Sequence, residues 1–347
     1  MAGGLKVAVV GVTGAVGKQL LAIIQQRQFP VRELVPFASA RSEGRPITLN
    51  GKTYPCQVLK KEAFAGIQIA FFDASDVVSK EWVPQVAEAG AWVVDNSGYF
   101  RMEKDIPLLV PEINGQLLDS KLAGRPMLSA RERILSGPNC STVQLVMALK
   151  PIQDHWGIKR VVVSTYQSTS GAGTAAMDEL TEQTAKVLSR EPANPKVFAH
   201  QIAFNCIPHI GGFQTDNYTS EENKIMAESR KILNLPNLKI TATAVRVPTL
   251  ICHSESVNVE CNRPVTPEQF REVLRDLPGI VLMDEPKQNL YPMNTTGGGE
   301  DPVYIGRIRK DDSIENGLNF WVVSDNLRKG AALNAVQIGE KLLKILA

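Results

Sequence analysis

The chain lacks the features that would mark it for a special environment. Neither charge is in surplus: 38 lysines and arginines stand against 36 acids in 347 residues, a net charge of +2. That balance argues against a nucleic-acid surface or an acidic tail. Its five cysteines (Cys56, Cys140, Cys206, Cys252 and Cys261) are odd in number and scattered, with no Cys-x-x-Cys pair. This argues against a disulfide framework or a structural zinc site, so no metal and a reducing cytoplasm are expected. No apolar run approaches bilayer length, and Met1–Lys6 lacks the basic-then-apolar pattern of a signal peptide, so no membrane association is expected. Repeats and low-complexity tracts are absent too, and there are only four histidines. What remains is an ordinary globular composition, 44% hydrophobic and 21% charged, in a chain long enough for two domains.

Residues 5–10 (Leu-Lys-Val-Ala-Val-Val) predict a buried strand ended by Gly11, after which Val16, Leu20, Ile23 and Ile24 repeat at helical spacing to about Gln28. Further strands are expected at Glu33–Ala38, Ile67–Asp73 and Ala91–Asp95, with a helix at Lys80–Ala89. Strands alternating with helices imply a doubly wound parallel α/β sheet. Beyond Cys140 the pattern changes. Strand candidates at Arg160–Gln167, Leu238–Val247, His253–Glu260, Ile280–Met283, Val303–Ile308 and Leu318–Val323 have longer connections, among them helices near Thr174–Ser189 and Thr266–Asp276. They predict a mixed α+β domain. An amphipathic helix over Asn326–Leu346 is expected to return to the first domain. The expected domains are therefore 1–139, completed by 326–347, and 140–325.

Gly11-Val12-Thr13-Gly14-Ala15-Val16-Gly17 follows the first strand and opens the first helix. In this GxxGxxG variant of the dinucleotide fingerprint, Gly11 permits the tight turn, Gly14 lets backbone approach a pyrophosphate, and Gly17 permits close helix packing. The alternative is a plain βα turn with packing glycines. After the second strand comes Phe37-Ala38-Ser39-Ala40-Arg41-Ser42, with no acid until Glu43. Hydroxyls and a guanidinium suit a 2′-phosphate, so NADP is expected over NAD, unless Arg41 is merely a solvated loop residue.

Cys140 lies in Ser136-Gly137-Pro138-Asn139-Cys140-Ser141-Thr142, at a loop-to-helix junction with Asn139 placed as N-cap. A thiol in a helix's first turn meets the positive end of the dipole, which favours thiolate; the alternative is a small buried hydrophobe. Three more segments carry unusual polarity: Tyr166–Gly173, Thr219–Lys224 and Arg246–Glu255.

Together the GxxGxxG turn, Phe37–Arg45, Asp95–Arg101 with Pro111-Glu112, Gly137–Gln144, Tyr166–Gly173, Glu221–Lys224, Arg246–Glu255 and Asp325–Ala332 resemble the aspartate-β-semialdehyde dehydrogenase family over almost the whole chain. The resemblance implies a Rossmann-type domain joined to a glyceraldehyde-phosphate-dehydrogenase-like catalytic and dimerisation domain, assembled as a homodimer or a dimer of dimers. It implies reduction of L-aspartyl-4-phosphate by NADPH to L-aspartate 4-semialdehyde and phosphate, feeding lysine, methionine and threonine synthesis. By the same resemblance Cys140 is the nucleophile that forms a thioacyl-enzyme, His253 the general acid/base, and Gln167 the group orienting thioester or nucleophile. Arg101 and Lys224 would hold phosphate, Arg246 the α-carboxylate and Glu221 the α-amino group, with Asn139 beside the substrate. Ser75, Ser170, Gly171 and Asn326 join Gly11, Thr13, Gly14, Ala15, Val16, Ser39, Arg41 and Ser42 as cofactor contacts.

The chemistry asks for the same residue types. An acyl phosphate is already activated and needs a good nucleophile more than a metal. Its tetrahedral intermediate needs donors, phosphate needs Arg or Lys, and a carboxylate suits a bidentate Arg. Each residue also has a plainer reading: His253 as a structural strand histidine, Glu221 and Lys224 as a surface pair, Arg101 as a loop charge. Glu222, three after Thr219, reads as a capping-box residue rather than a ligand. The chain departs from the family in having Gly137 before Pro138, in Cys252 where glycine is common, so that a second thiol is expected near the site, and in a longer polar stretch at 119–133. The rival readings are N-acetyl-γ-glutamyl-phosphate reductase, whose acetylated substrate has no use for Glu221, and a non-catalytic nucleotide-binding relative.

Overall fold

A computed structural model describes residues 4–122 and 128–346. The chain divides into two units, Met1–Asn139 with Ala331–Ala347, and Cys140–Gly330.

In the first unit, β1 (Leu5–Val10) leads through α1 (Ala15–Gln26) to β2 (Val31–Phe37). A hairpin of β3 (Pro46–Leu49) and β4 (Lys52–Pro55) precedes β5 (Ile69–Phe72), α2 (Asp76–Glu88) and β6 (Trp92–Asp95). Short helices α3 (Pro111–Asn114) and α4 (Gln116–Leu122) come before β7 (Ile134–Ser136). Five strands pair in parallel in the order β2-β1-β5-β6-β7. Central strands of such a sheet are covered on both faces, and β5 and β6 are accordingly buried at every residue. The core on one face joins Leu20, Ile23 and Ile24 of α1 to Leu333, Val336 and Leu342 of the C-terminal helix. Each such side chain contributes about 1.5–3 kcal/mol by leaving water.

In the second unit, α5 (Cys140–Trp156) runs into β8 (Ile158–Gln167), followed by α6 (Thr174–Leu188), α7 (Ser220–Ile232), β9 (Lys239–Arg246) and β10 (His253–Cys261). Then come α8 (Pro267–Leu274), β11 (Ile280–Leu282), α9 (Asn294–Gly297), β12 (Val303–Asp311) and β13 (Gly317–Ser324). The sheet is mixed, in the order β11-β12-β13-β10-β8-β9. Helix α5 packs across its centre and is buried along most of its length.

The β3–β4 hairpin, α3, α4 and β7 lie outside the sequence pattern, and three expected elements have bounds reset by local geometry. Helix α2 starts at Asp76 rather than Lys80, because the Ser75 hydroxyl caps it by accepting from the Val78 N–H. Strand β12 continues past Ile308 to Asp311 through a bulge between Gly306 and Arg309. The C-terminal helix, α10 (Leu333–Leu346), does not begin at Asn326. Arg328–Ala332 form a wider π turn, and Asp325 Oδ1 accepts from the N–H groups of Leu327 and Arg328. The return to the first unit therefore starts at Ala331, five residues later than expected. The polar stretch 119–133 lies partly outside the described residues.

Candidate active site

Three strands of the second unit deliver one row of polar side chains. The register pairs His253 of β10 with Gln167 of β8, and Gln167 with Arg246 of β9. On the other side His253 pairs with Ser324 of β13. In-register residues on neighbouring strands sit about 5 Å apart, so an acid/base, an amide and a cation share one line. All four are buried.

The protonation state of His253 follows from its partners. The Ser168 backbone N–H donates to Nδ1 at 3.1 Å. A backbone N–H can only donate, so Nδ1 is the acceptor and the neutral ring carries its proton on Nε2. Nε2 is itself buried without a hydrogen-bond partner. Burial, and secondarily the Arg246 charge, push the His253 pKa down to about 3, weakly opposed by the Cys252 backbone. At neutral pH the site therefore contains an Nε2–H donor. A Cβ added at Gly171 would lie 3.2 Å from His253 Nε2 and 3.0 Å from Arg246 Nη1. The glycine lets the Thr169–Ala172 turn pass against both groups.

Arg246 donates from Nη1 to the Ser168 carbonyl at 2.6 Å. Burial lowers its pKa, while Glu221 and then Cys140 raise it. Glu221 takes a hydrogen bond from Gln167 Nε2 at 3.2 Å and lies 3.9 Å from the half-exposed Lys224 ammonium. Gln167, expected among the catalytic residues, thus lies on β8 beside Glu221 and Lys224 of α7 and Arg246 of β9, three of the residues expected to hold substrate.

Cys140 is the first residue of α5, with its thiol in the first turn as the sequence predicts. Gly330 makes room for it: a Cβ there would lie 3.0 Å from Cys140 Cβ and 3.3 Å from its Cα. Cys252 lies next to His253, as the second thiol near the site. It is fully buried, and burial pushes its pKa up to about 12. Its backbone has φ of +71°, a left-handed conformation that L-residues adopt at a cost. This accounts for a position where glycine would serve. The exposed free thiol is instead Cys206.

Asn326 organises the loops around His253. Its Oδ1 accepts from the Cys252 N–H at 3.0 Å and the Ser168 hydroxyl at 3.2 Å, and its Nδ2 donates to Ser170 Oγ at 3.0 Å. Sequence reasoning assigned Asn326 and Ser170 only to cofactor, and missed Ser168, whose part depends on strand register. It also gave Glu255 no part in the site. Glu255 lies two residues along β10 from His253, fully buried, with its pKa raised well above the usual range by burial and partly offset by Gln144 of α5.

In the first unit the glycine turn fits a dinucleotide. Gly11 has φ of +83°, and a Cβ there would lie 1.9 Å from the Asp73 carbonyl oxygen. A Cβ at Gly17 would lie 2.3 Å from the Gly11 oxygen. Gly14 caps α1 without a side chain, which leaves the helix N-terminus bare toward an anion. Thr13, Ala15 and Val16 lie in the same turn. Ser39 precedes a short 3₁₀ turn, Ala40–Ser42, that carries Arg41, exposed, and Ser42. Ser75 serves as the α2 cap. Arg101 is buried, donating from Nε to the Gly137 carbonyl at 2.9 Å and from Nη2 to the Asn96 carbonyl at 2.6 Å. Asn139, also buried, immediately precedes Cys140. Asp73, after β5, went unnoticed in the sequence; burial, then the Asp95 charge, raise its pKa to about 7.

Two family profiles match this chain: a semialdehyde dehydrogenase NAD binding domain over residues 6–121, and a semialdehyde dehydrogenase dimerisation domain over 149–329. An aspartate-semialdehyde dehydrogenase of Aquifex aeolicus is 50% identical over 344 residues, covering 98% of either chain. A crystal structure of aspartate semialdehyde dehydrogenase II complexed with ASA, from Vibrio cholerae, matches with a TM-score of 0.93 and 44% identity over 99% of both chains. One from Candida albicans with NADP matches with a TM-score of 0.76 and 25% identity, over 98% of this chain and 99% of that one. The chain belongs to the aspartate-semialdehyde dehydrogenase family, nicotinamide-dependent oxidoreductases of amino-acid biosynthesis.

Proposed function

We propose that the chain catalyses the phosphorylating, NADP-linked form of this reaction, reducing L-aspartyl-4-phosphate to L-aspartate 4-semialdehyde with release of phosphate. The observation that carries the reading is the row Arg246–Gln167–His253, with Cys140 close enough for its charge to act on Arg246.

The Cys140 thiolate, favoured by the α5 N-terminus and the Arg246 cation, attacks C4 of the acyl phosphate. The carbonyl π electrons move onto oxygen, and the Nε2–H of His253 donates to that oxyanion. As the C–O bond to phosphate breaks, its electron pair leaves with the phosphate, and the carbonyl re-forms as a thioester on Cys140. Nicotinamide, when bound, supplies hydride to that carbon. Collapse of the resulting oxyanion breaks the C–S bond, regenerating thiolate and releasing aldehyde. His253 therefore works as a donor rather than as the base that ionises Cys140.

Arg246 and Glu221 suit the α-carboxylate and α-ammonium of an amino-acid substrate, and Lys224 and Arg101 suit its phosphate. Asn139 completes the substrate set as the residue before the nucleophile. The turn at Gly11–Val16 suits the pyrophosphate, and Ser39, Arg41 and Ser42 suit a 2′-phosphate. Ser75, Ser170, Gly171 and Asn326 complete the cofactor set. The NADP bound to the Candida relative supports the choice of cofactor. The dimerisation profile supports a homodimer, and five free cysteines support a cytoplasmic location.

The assay supplies NADP, phosphate and either L-aspartate 4-semialdehyde or its N-acetylglutamate homologue, and follows reduced cofactor. Turnover of the aspartate semialdehyde, lost in Cys140→Ala, is expected. Turnover of the acetylated homologue alone, or activity surviving in Cys140→Ala, overturns the proposal.

A further inference from the structure

Strand β9 lies at the edge of its sheet, with β8 on one side only. Unpaired N–H groups on such an edge must find partners elsewhere. Two do so, at Ala244 and Arg246, which alternate onto the same free edge. The Arg246 N–H donates to the Ile207 carbonyl at 2.8 Å, and the Ile207 N–H returns the bond at 2.9 Å. The Ala244 N–H donates to Glu222 Oε1 at 2.9 Å.

Glu222 is also the capping-box residue of α7. Its Oε2 accepts from the Thr219 N–H at 2.7 Å, and its own N–H donates to Thr219 Oγ1 at 3.3 Å. One buried carboxylate thus holds the first turn of α7 with one oxygen and the edge of β9 with the other. The neighbouring residues on these elements are Glu221 and, two beyond Ala244, Arg246. We propose that Glu222 is a positioning residue, indexing Glu221 on α7 to Arg246 on β9 so that the two opposite charges match the spacing of an amino acid's ammonium and carboxylate.

This inference rests on the proposed substrate roles of Glu221 and Arg246. A zwitterion needs both charges at once, so slippage between α7 and β9 weakens substrate binding while leaving Cys140 and His253 in place. A capping role alone requires only one oxygen, which Gln supplies as well as Glu. The second oxygen, on Ala244, is what the cap does not explain.

The test separates cap from bridge. Glu222→Gln can satisfy only one of the two N–H groups with its single carbonyl oxygen. Ala244→Pro removes the same bond from the strand side. Thr219→Val removes the capping hydroxyl and leaves the bridge. In the full-length enzyme, Glu222→Gln and Ala244→Pro are each expected to raise KM for the semialdehyde about tenfold with kcat within about threefold, the signature of lost uniform binding. Dissociation of NADP, measured by fluorescence, should be unchanged, and Thr219→Val should lower Tm without moving KM. An unchanged KM in both bridge variants, or the same KM shift in Thr219→Val, overturns the proposal. Glu221→Gln and Arg246→Lys keep the two readings apart. If neither raises KM, the substrate assignment itself fails and takes this inference with it; if both do while the bridge variants do not, only the inference fails.

Discussion

Gly11 and His253 both stand at the end of a strand, yet they prepare their sites in opposite ways. Around Gly11 the first unit works by leaving side chains out. No Cβ fits against the Asp73 carbonyl, and Gly14 leaves the α1 terminus bare. Around His253 the second unit works by fixing side chains in register, with Gln167 and Arg246 in the same row and Ser168 dictating which ring nitrogen carries the proton. An anion can be held by backbone alone, whereas acyl transfer needs a nucleophile, a donor and opposite charges at set spacings.

The comparison is broken most severely at His253. Replacing it with Gln should lower kcat by about 10²–10⁴-fold, as removal of a positioned proton donor does, while cofactor affinity stays at wild type. Loss of cofactor affinity in that variant would mean the two sites are not separable in this way.

Gly11→Ala should do the reverse. A methyl group at φ +83° and 1.9 Å from the Asp73 oxygen cannot be accommodated without moving the turn. The left-handed conformation alone costs about 1–2 kcal/mol, so binding of the nicotinamide cofactor should weaken by about tenfold or more. The rate of Cys140 alkylation by iodoacetamide should not change, and slower alkylation would contradict the division of labour.

The two units should also respond oppositely to pH. His253 has its pKa depressed from 6.5 to about 3, so its contribution to stability is present above about 6.5 and is lost as pH falls toward 3. Asp73 has its pKa raised from 3.8 to about 7, so its contribution is present below about 4 and is lost as pH rises through 7. Thermal melts across this range should show Asp73→Asn raising Tm at pH 8 relative to wild type and losing that advantage at pH 4. An equal gain at both pH values would show that Asp73 does not titrate as stated.

The smallest effect is expected at Cys252. Cys252→Gly relieves the left-handed backbone at φ +71° but deletes buried sulfur, two opposing terms of about 1–2 kcal/mol each. Tm should shift by only a few degrees and iodoacetamide stoichiometry should not fall. A fall would mean that Cys252, despite its burial, reacts.

The difference between the units also governs what could be read from sequence. The glycine turn is local, so Gly11, Gly14 and Gly17 were legible in seven consecutive residues. The β3–β4 hairpin was equally local, marked by Asn50-Gly51 with both φ positive, and was overlooked. The polar row draws on positions 167, 246 and 253, brought together by a register that no spacing announces. Chemistry and family resemblance could nominate Cys140, Gln167 and His253, but not the His253 tautomer, the burial of Cys252 or the second oxygen of Glu222. The return from the π turn at Arg328–Ala332 escaped for a related reason: its apolar positions continue the helical pattern, while Asp325 sets the turn through backbone N–H groups.

The most direct test of the thioacyl assignment is a single turnover without reducing cofactor. Enzyme mixed with L-aspartyl-4-phosphate should release a burst of one phosphate per site and carry an aspartyl adduct on the Cys140 peptide by mass spectrometry. Adding NADPH should then discharge that adduct as semialdehyde. No burst, or an adduct on Cys206 or Cys252 in its place, would contradict the account.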